Sequence, residues 1–321
     1  MNNNRLKNPK ISILLVTYNH ESYINKALDS LLNQTVDGSI EVIVADDASV
    51  DNTLTIIKEY EGRDSRFSFS YLDNKKNVGI TKNYQRGFAA CRGEYVAVLE
   101  GDDYWISPFK LQRQIDFLNT HWECDLCAVN YFVFEENRSH FYPRTTIGNG
   151  HRLVSARDLI ADNLVGNFST CMYRKSALNA LPDQLFDITS YDWIVNICVA
   201  RSSFIGFLEE PMSVYRLHLN GVWTQTSHID KLKLQLEVIP AYDTLTDHVY
   251  HLEFDALVKH LHYMICINNF VPNTETLAKS SIGLLAHIVA YLPPIILEIT
   301  RLLMPPKFKN FIVNFCHRDA A

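Results

Sequence analysis

Val96-Ala97-Val98-Leu99-Glu100-Gly101-Asp102-Asp103-Tyr104-Trp105 is the stretch on which the fold turns, an apolar run that breaks off into carboxylates. The run reads as a strand buried on both faces. Open α/β sheets place ligands beyond the carboxyl ends of such strands. Glu100, Asp102 and Asp103 repel one another, so a balancing cation is expected. Oxygen donors suit Mg2+ or Mn2+, and Mg2+ is usually held by one or two carboxylates together with substrate phosphates. Alone, the segment reads equally well as a solvated acidic turn.

Working outward, residues 11–134 alternate regularly. Ile11 to Val16, Ile40 to Ala45, Phe67 to Leu72, Tyr95 to Leu99 and Leu126 to Phe134 read as strands. Between them, Ile24, Ala27, Leu28, Leu31 and Leu32 recur at helical spacing, and Asp51–Tyr60 and Thr81–Cys91 read as helices. Ser107-Pro108 reads as the start of another helix, with serine as cap and proline in the first turn. This order predicts an α/β fold with a mostly parallel central sheet and flanking helices. Later, Ser155–Asp162 reads as a short helix, Phe168–Tyr173 as a strand, Asp192–Ala200 as a helix and Met212–His218 as extended. From His228 to roughly Phe270 the chain reads as helix.

A chain of 321 residues, 47% hydrophobic and 21% charged, is ordinary for a globular protein of one large domain or two. The net charge of −6 and the lack of a long basic run argue against nucleic-acid binding. Met1 to Lys10 is polar and has no signal-peptide core, so a cytoplasmic setting is expected. Seven cysteines in no framework spacing fit reduced thiols. Cys124-Asp125-Leu126-Cys127 has no second pair to complete a zinc site, and reads as a core Cys127 and an incidental Cys124. The 282–304 segment is strongly apolar but broken by Pro293-Pro294, Glu298 and Arg301, so a clean membrane span is not expected. With Lys307, Lys309 and Arg318 nearby, residues 282–321 read either as an interfacial element on the inner face of the cell membrane or as helices packed on the protein or in a homo-oligomer.

In a parallel sheet, three loops share one edge: Val16-Thr17-Tyr18-Asn19-His20, Ala45-Asp46-Asp47-Ala48-Ser49, and Glu100 to Asp103. Tyr18 can stack on a base, an aspartate after the second strand can accept from a base N–H or ribose hydroxyl, and Asp102 and Asp103 can reach ribose and metal. That makes a nucleotide site without a glycine-rich loop, and neither the dinucleotide fingerprint nor the P-loop occurs.

Ile13 to Asn19, Ser30 to Thr35, Glu41 to Ser49 with Asp51 and Thr53, Asn77-Val78-Gly79, and Arg92 to Trp105 follow one another as in family 2 glycosyltransferases of the GT-A fold, which this chain resembles from about Lys10 to Arg216. The resemblance implies an inverting transfer from a nucleoside diphosphate sugar to a glycan or lipid-linked acceptor, with Mn2+ or Mg2+, in surface polysaccharide biosynthesis. It implies a domain over residues 1–225, with 10–105 the nucleotide-sugar half and 106–225 the acceptor half, and a helical region over 226–321. It assigns Val16, Tyr18, Asp46, Asp47 and Asp102 to the nucleotide sugar and Asp103, Asp102 and His218 to the metal. Glu100 stands where many members carry aspartate. Asp192, in Ser190-Tyr191-Asp192-Trp193, matches the general base at a helix start; otherwise it reads as a simple N-cap. Trp223 is a candidate sugar-stacking residue, and Tyr104-Trp105 either flank the donor or anchor the next helix. The Q-x-x-R-W segment of processive members is absent, so transfer of one or a few sugars is expected. Two other readings stand beside this one. A haloacid-dehalogenase-like phosphatase would want an aspartate after the first strand, where Thr17-Tyr18-Asn19 stands. A catalytically inactive glycan-binding module would have no need of Asp102, Asp103 and Asp192.

Overall fold

The computed structural model describes residues 10–270, except 74, 220, 222, 223 and 225. The first half alternates as the hydrophobic pattern demands: β1 (Ile11–Thr17), α1 (Ile24–Leu32), β2 (Ile40–Asp46), α2 (Thr53–Tyr60), β3 (Phe67–Tyr71), α3 (Ile80–Ala90) and β4 (Tyr95–Glu100). It continues through β5 (Tyr104–Trp105), α4 (Lys110–Thr120), β6 (Cys124–Glu135), β7 (His140–Pro143), β8 (His151–Val154), α5 (Ala156–Ala161), β9 (Cys171–Arg174), α6 (Lys175–Asn179), α7 (Asp192–Val199) and β10 (Phe204–Leu217).

These strands form one sheet in the order β3-β2-β1-β4-β9-β6-β10-β5, with β7 beside β6 and β8 beside β10. β3, β2, β1 and β4 pair in parallel. β9 runs antiparallel to both β4 and β6, while β10 is parallel to β6. β1, β2, β3, β4, β6 and β10 therefore share one direction, and the short β5, β7, β8 and β9 run against it. The consequence matters for function: the carboxyl ends of β1, β2, β4 and β10 open on the same edge.

Every residue of β1 and β2 is buried, as expected for strands covered on both faces. α1 covers the sheet with Ile24, Ala27, Leu28 and Leu31, the i, i+3, i+4, i+7 stripe of an amphipathic helix. Cys124 and Cys127 are both fully buried, so the C-x-x-C pair is core at both positions.

Three of the expected elements differ in their bounds or type. α4 starts at Lys110 with Phe109 in the cap position, not at Ser107. The distant Gln34 accepts the Leu111 N–H at 3.2 Å and so satisfies a first-turn donor. Phe168–Thr170 is a single 3-10 turn ahead of β9. Met212–His218 is the end of a longer strand that begins at Phe204 and is interrupted by bulges.

The chain divides into two compact units, Met1–Gly221 and Val222–Ala321. In the second, Ser227 caps α8 (His228–Leu245) by accepting the Asp230 N–H. α9 (His251–Phe270) follows after a short connection. Among the described residues, no helix is long and apolar enough to cross a membrane. Trp223 and the 282–321 segment lie outside the described residues.

The edge opposite the ligand-facing one is locked by a buried polar knot. The Ser12 hydroxyl donates to Glu41 at 2.5 Å, and the Arg92 and Gly93 backbone N–H groups close on Glu41 and Ser12. The Arg92 guanidinium pairs with Glu41 Oε2 at 2.6 Å. Glu41 is 1% exposed, and these donors satisfy both of its carboxylate oxygens. Glu41→Ala should cost about 2–4 kcal/mol, since it strands buried donors and breaks the pair. A urea midpoint unchanged from wild type would refute that role.

Candidate active site

The loop after β1 is held by the loop after β2. Asn19 adopts a left-handed φ of 55°. Its N–H donates to Ser49 Oγ at 2.9 Å, and its side-chain oxygen accepts from Val50 N at 2.9 Å. Asp51 accepts from Glu21 N, Thr53 N and the Thr53 hydroxyl, and Thr53 in turn accepts from His20 N. Asp51 and Thr53 thus act as a clamp that fixes His20. Tyr18 projects from this loop, 44% exposed.

Asp46 and Asp47 have separate tasks. The Asp46 carboxylate accepts from both the backbone N–H and the hydroxyl of Ser49, closing the turn in which Ala48 takes φ of 61°. Asp47 accepts from Val78 N at 2.8 Å and Gly79 N at 2.9 Å. Asn77-Val78-Gly79 is therefore latched to the end of β2. Gly79 has φ of 85°, a conformation that glycine adopts without strain.

The acid turn follows β4. Gly101 N donates to Val16 O at 2.8 Å, which seats the turn against β1. A Cβ at Gly101 would lie 2.7 Å from Thr17 Oγ1 and 2.8 Å from His20 Nδ1, so no side chain fits there. Asp102 Oδ2 sits 3.1 Å from His218 Nε2 and 3.7 Å from His20 Nε2. Burial opposes its charge, yet the two histidines outweigh burial and hold its carboxyl below the ordinary value. Asp103 is 1% exposed and accepts Arg216 N at 3.0 Å through Oδ1. Burial, then the neighbouring Asp102 charge, push its carboxyl well above the usual range. Burial and the charges of Asp103 and Asp102 do the same to Glu100, which accepts the Tyr84 hydroxyl at 2.7 Å.

Arg216 is the unheralded part. Its guanidinium donates to Asp102 O at 2.9 Å and lies over the rings of Tyr23, Tyr104 and Phe134. Backbone and side chain of this one residue thus grip both aspartates of the turn. Four polar atoms around that turn are buried with no hydrogen-bond partner: Thr17 Oγ1, His20 Nδ1, Asp103 Oδ2 and His218 Nδ1. Native structures rarely leave buried polar atoms unsatisfied, so such a cluster calls for a ligand. An unshared buried carboxylate oxygen beside a second carboxylate is a donor set that fits Mg2+ or Mn2+.

Asp192 is the first residue of α7, after Tyr191 in the cap position, so it is not the N-cap. Asn163 Nδ2 donates to its Oδ2 at 2.9 Å. Burial raises its carboxyl to about 6, against the Asn163 hydrogen bond and backbone donors that favour the charge. It contributes to the field on Glu100, and so belongs to the same electrostatic neighbourhood as the acid turn.

The structure thus brings Val16, Asp102, Asp103 and His218 together, with Tyr18, Asp46 and Asp47 on the adjoining loops. Tyr104 and Trp105 are buried, at 5% and 4% exposure, and Trp105 Nε1 donates to Ser169 O. They are anchors of the fold and do not line an open surface. His20, Arg216 and Asn163 went unassigned in the sequence, because their partners lie 82, 114 and 29 residues away. The adjacency of Arg216 and His218 at the end of an extended run was the one available signal.

Comparison with known proteins gives the family. The sequence model described as Glycosyl transferase family 2 matches residues 12–181. TuaG of Bacillus subtilis, provisionally named as a teichuronic acid biosynthesis glycosyltransferase, is 33% identical over 67% of this chain and 81% of its own length. Rv1520 of Mycobacterium tuberculosis is 35% identical over 70% of this chain, which spans 63% of that protein's length. Staphylococcus aureus TarS, solved with UDP-GlcNAc, superposes with a TM-score of 0.61 at 19% identity, covering 97% of this chain and 88% of TarS. The mannosyltransferase PcManGT of Pyrobaculum calidifontis, solved with GDP-Man and Mn2+, gives 0.55 at 15% identity, covering 97% and 86%. At these identities the superpositions show a shared GT-A fold. With the family match covering the sheet edge that carries Asp46, Asp47, Asp102 and Asp103, the chain belongs to glycosyl transferase family 2.

Proposed function

We propose that this enzyme transfers a sugar, with inversion, from a nucleoside diphosphate sugar to a hydroxyl of a glycan or lipid-linked acceptor. The observation that carries the reading is the set of buried, unpartnered polar atoms around the Asp102-Asp103 turn. Family membership sets it against the phosphatase reading. TuaG's provisional name supports a role in surface polysaccharide assembly.

In this reading Tyr18 stacks on the base and Asp47 accepts from it, with Val16 lining the pocket. Asp46 serves through Ser49, keeping that loop in shape. Asp102 faces ribose and diphosphate, and Asp102 and Asp103, with His218 beside them, are the residues that would hold Mn2+ or Mg2+. The bound ion would offset the negative charge on the departing nucleoside diphosphate. Asp192 takes the proton of the acceptor hydroxyl as its oxygen bonds to the anomeric carbon from the face opposite the leaving group. The bond from that carbon to the diphosphate oxygen breaks, and the electron pair leaves with the nucleotide. Asn163 keeps the Asp192 carboxylate aimed, and Arg216 keeps the acid turn in register.

Five outcomes are expected. A thermal-shift screen of nucleotides with Mn2+ should find one that stabilises only when the metal is present. Asp103→Ala should erase that metal-dependent shift, and its persistence would sink the assignment. Asp192→Asn should keep the shift but lower kcat by about 10²–10⁴. Full activity in this variant would mean that another group is the base. The base must be ionised to act, so kcat/KM should rise with pH through about 6 and level off above it. The Asn163 hydrogen bond favours the ionised form, so Asn163→Ala should move this limb to higher pH with donor KM unchanged. A lower rate with an unmoved limb would make Asn163 merely structural.

A further inference from the structure

The second unit contains a cluster that owes nothing to the acid turn. Asp243 lies in the last turn of α8 and is 8% exposed. Its Oδ2 accepts from His248 Nδ1 at 2.9 Å and from His251 Nδ1 at 2.8 Å. One ligand atom from each of the three residues lies within 4.8 Å of the others. Asp243 Oδ1 is buried and has no hydrogen-bond partner. The backbone bends to make this arrangement: Asp247 and His248 both take left-handed φ values, 54° and 57°, uncommon outside glycine. The His248 N–H turns back to Asp243 O at 2.9 Å.

We propose that Asp243, His248 and His251 form a site for a divalent transition-metal ion of the zinc type, joining the end of α8 to the start of α9. Two imidazole nitrogens and one carboxylate are donors that suit zinc, whereas Mg2+ prefers oxygen alone. The spacing fits. Ligand atoms about 2.0–2.1 Å from a tetrahedral ion lie about 3.3 Å apart, so the two histidine-to-Asp243 separations of 2.9 and 2.8 Å need to open by only a few tenths of an ångström. Each neutral imidazole would move its proton from Nδ1 to Nε2. The His248 and His251 side chains are 62% and 66% exposed, so solvent can receive the new N–H and supply a fourth ligand. Both histidines now crowd one carboxylate oxygen while the other has no partner. An ion shared by all three residues would relieve that crowding. The site rests on geometry within the second unit and is independent of the transfer reaction proposed above.

The full chain, stripped with chelator, should be titrated with Co2+ as a spectroscopic probe and then with Zn2+ as competitor. The expected result is a visible Co2+ spectrum of tetrahedral nitrogen–oxygen type that Zn2+ displaces. The spectrum should vanish in the His248→Asn/His251→Gln variant and persist in Asp103→Ala. Asparagine tolerates the left-handed backbone at position 248, and both side chains are exposed, so circular dichroism should match wild type. Absence of a displaceable Co2+ signal would overturn the proposal. So would a signal that survives the double histidine variant, or one that Asp103→Ala removes.

Discussion

Four carboxyl groups, Glu100, Asp102, Asp103 and Asp192, share one electrostatic neighbourhood at the carboxyl edge of the sheet, and the site is organised around that cost. Like charges in a partly dry environment cannot all ionise without compensation. The protein compensates unevenly. Asp102 receives two histidines and is held charged. Asp103 receives the Arg216 N–H and help from the Ser169 side chain, too little to offset its burial, and its Oδ2 has no hydrogen-bond partner. Glu100 takes a tyrosine hydroxyl and is pushed towards its neutral form. Asp192 is raised only to about 6, which leaves it ionised at neutral pH and still able to take a proton. One composition, acid beside acid, yields four different protonation behaviours because each carboxyl meets different neighbours.

The compensation is assembled from distant parts of the chain, so the sheet must be built before the site exists. His20 follows β1, His218 follows β10, and both reach Asp102 after β4. Arg216 crosses from β10 to grip the turn, wedged among three aromatic rings. Gly101 allows the approach, since a side chain there would strike Thr17 and His20. Much of the motif that resembles a ligand-binding signature is scaffolding on this view. Asp46 with Ser49, and Asp51 with Thr53, spend their hydrogen bonds on loop shape.

The parallel half of the fold was legible because β1, β2 and β4 are mostly apolar runs and α1 has a helical stripe, periodicities that survive any tertiary context. Asp102, Asp103 and Asp192 were legible as acids at element ends. The exact start of α4 was not, since Ser107 accepts the Phe109 N–H but a glutamine 77 residues away accepts that of Leu111. Nor were the buried fates of Tyr104 and Trp105, which depend on β5 pairing with β10.

The sequence by itself determined the strand-and-helix order from β1 to β4, the family, and the placing of acids at the ends of β2 and β4. Those features are local patterns, written in residues that are neighbours along the chain. Only the tertiary structure decided which acid stays charged, which oxygen stays empty, and that Asn163, His20 and Arg216 matter at all. Protonation and hydrogen bonding depend on burial and on contacts through space, and here those contacts span 29 to 116 residues of chain.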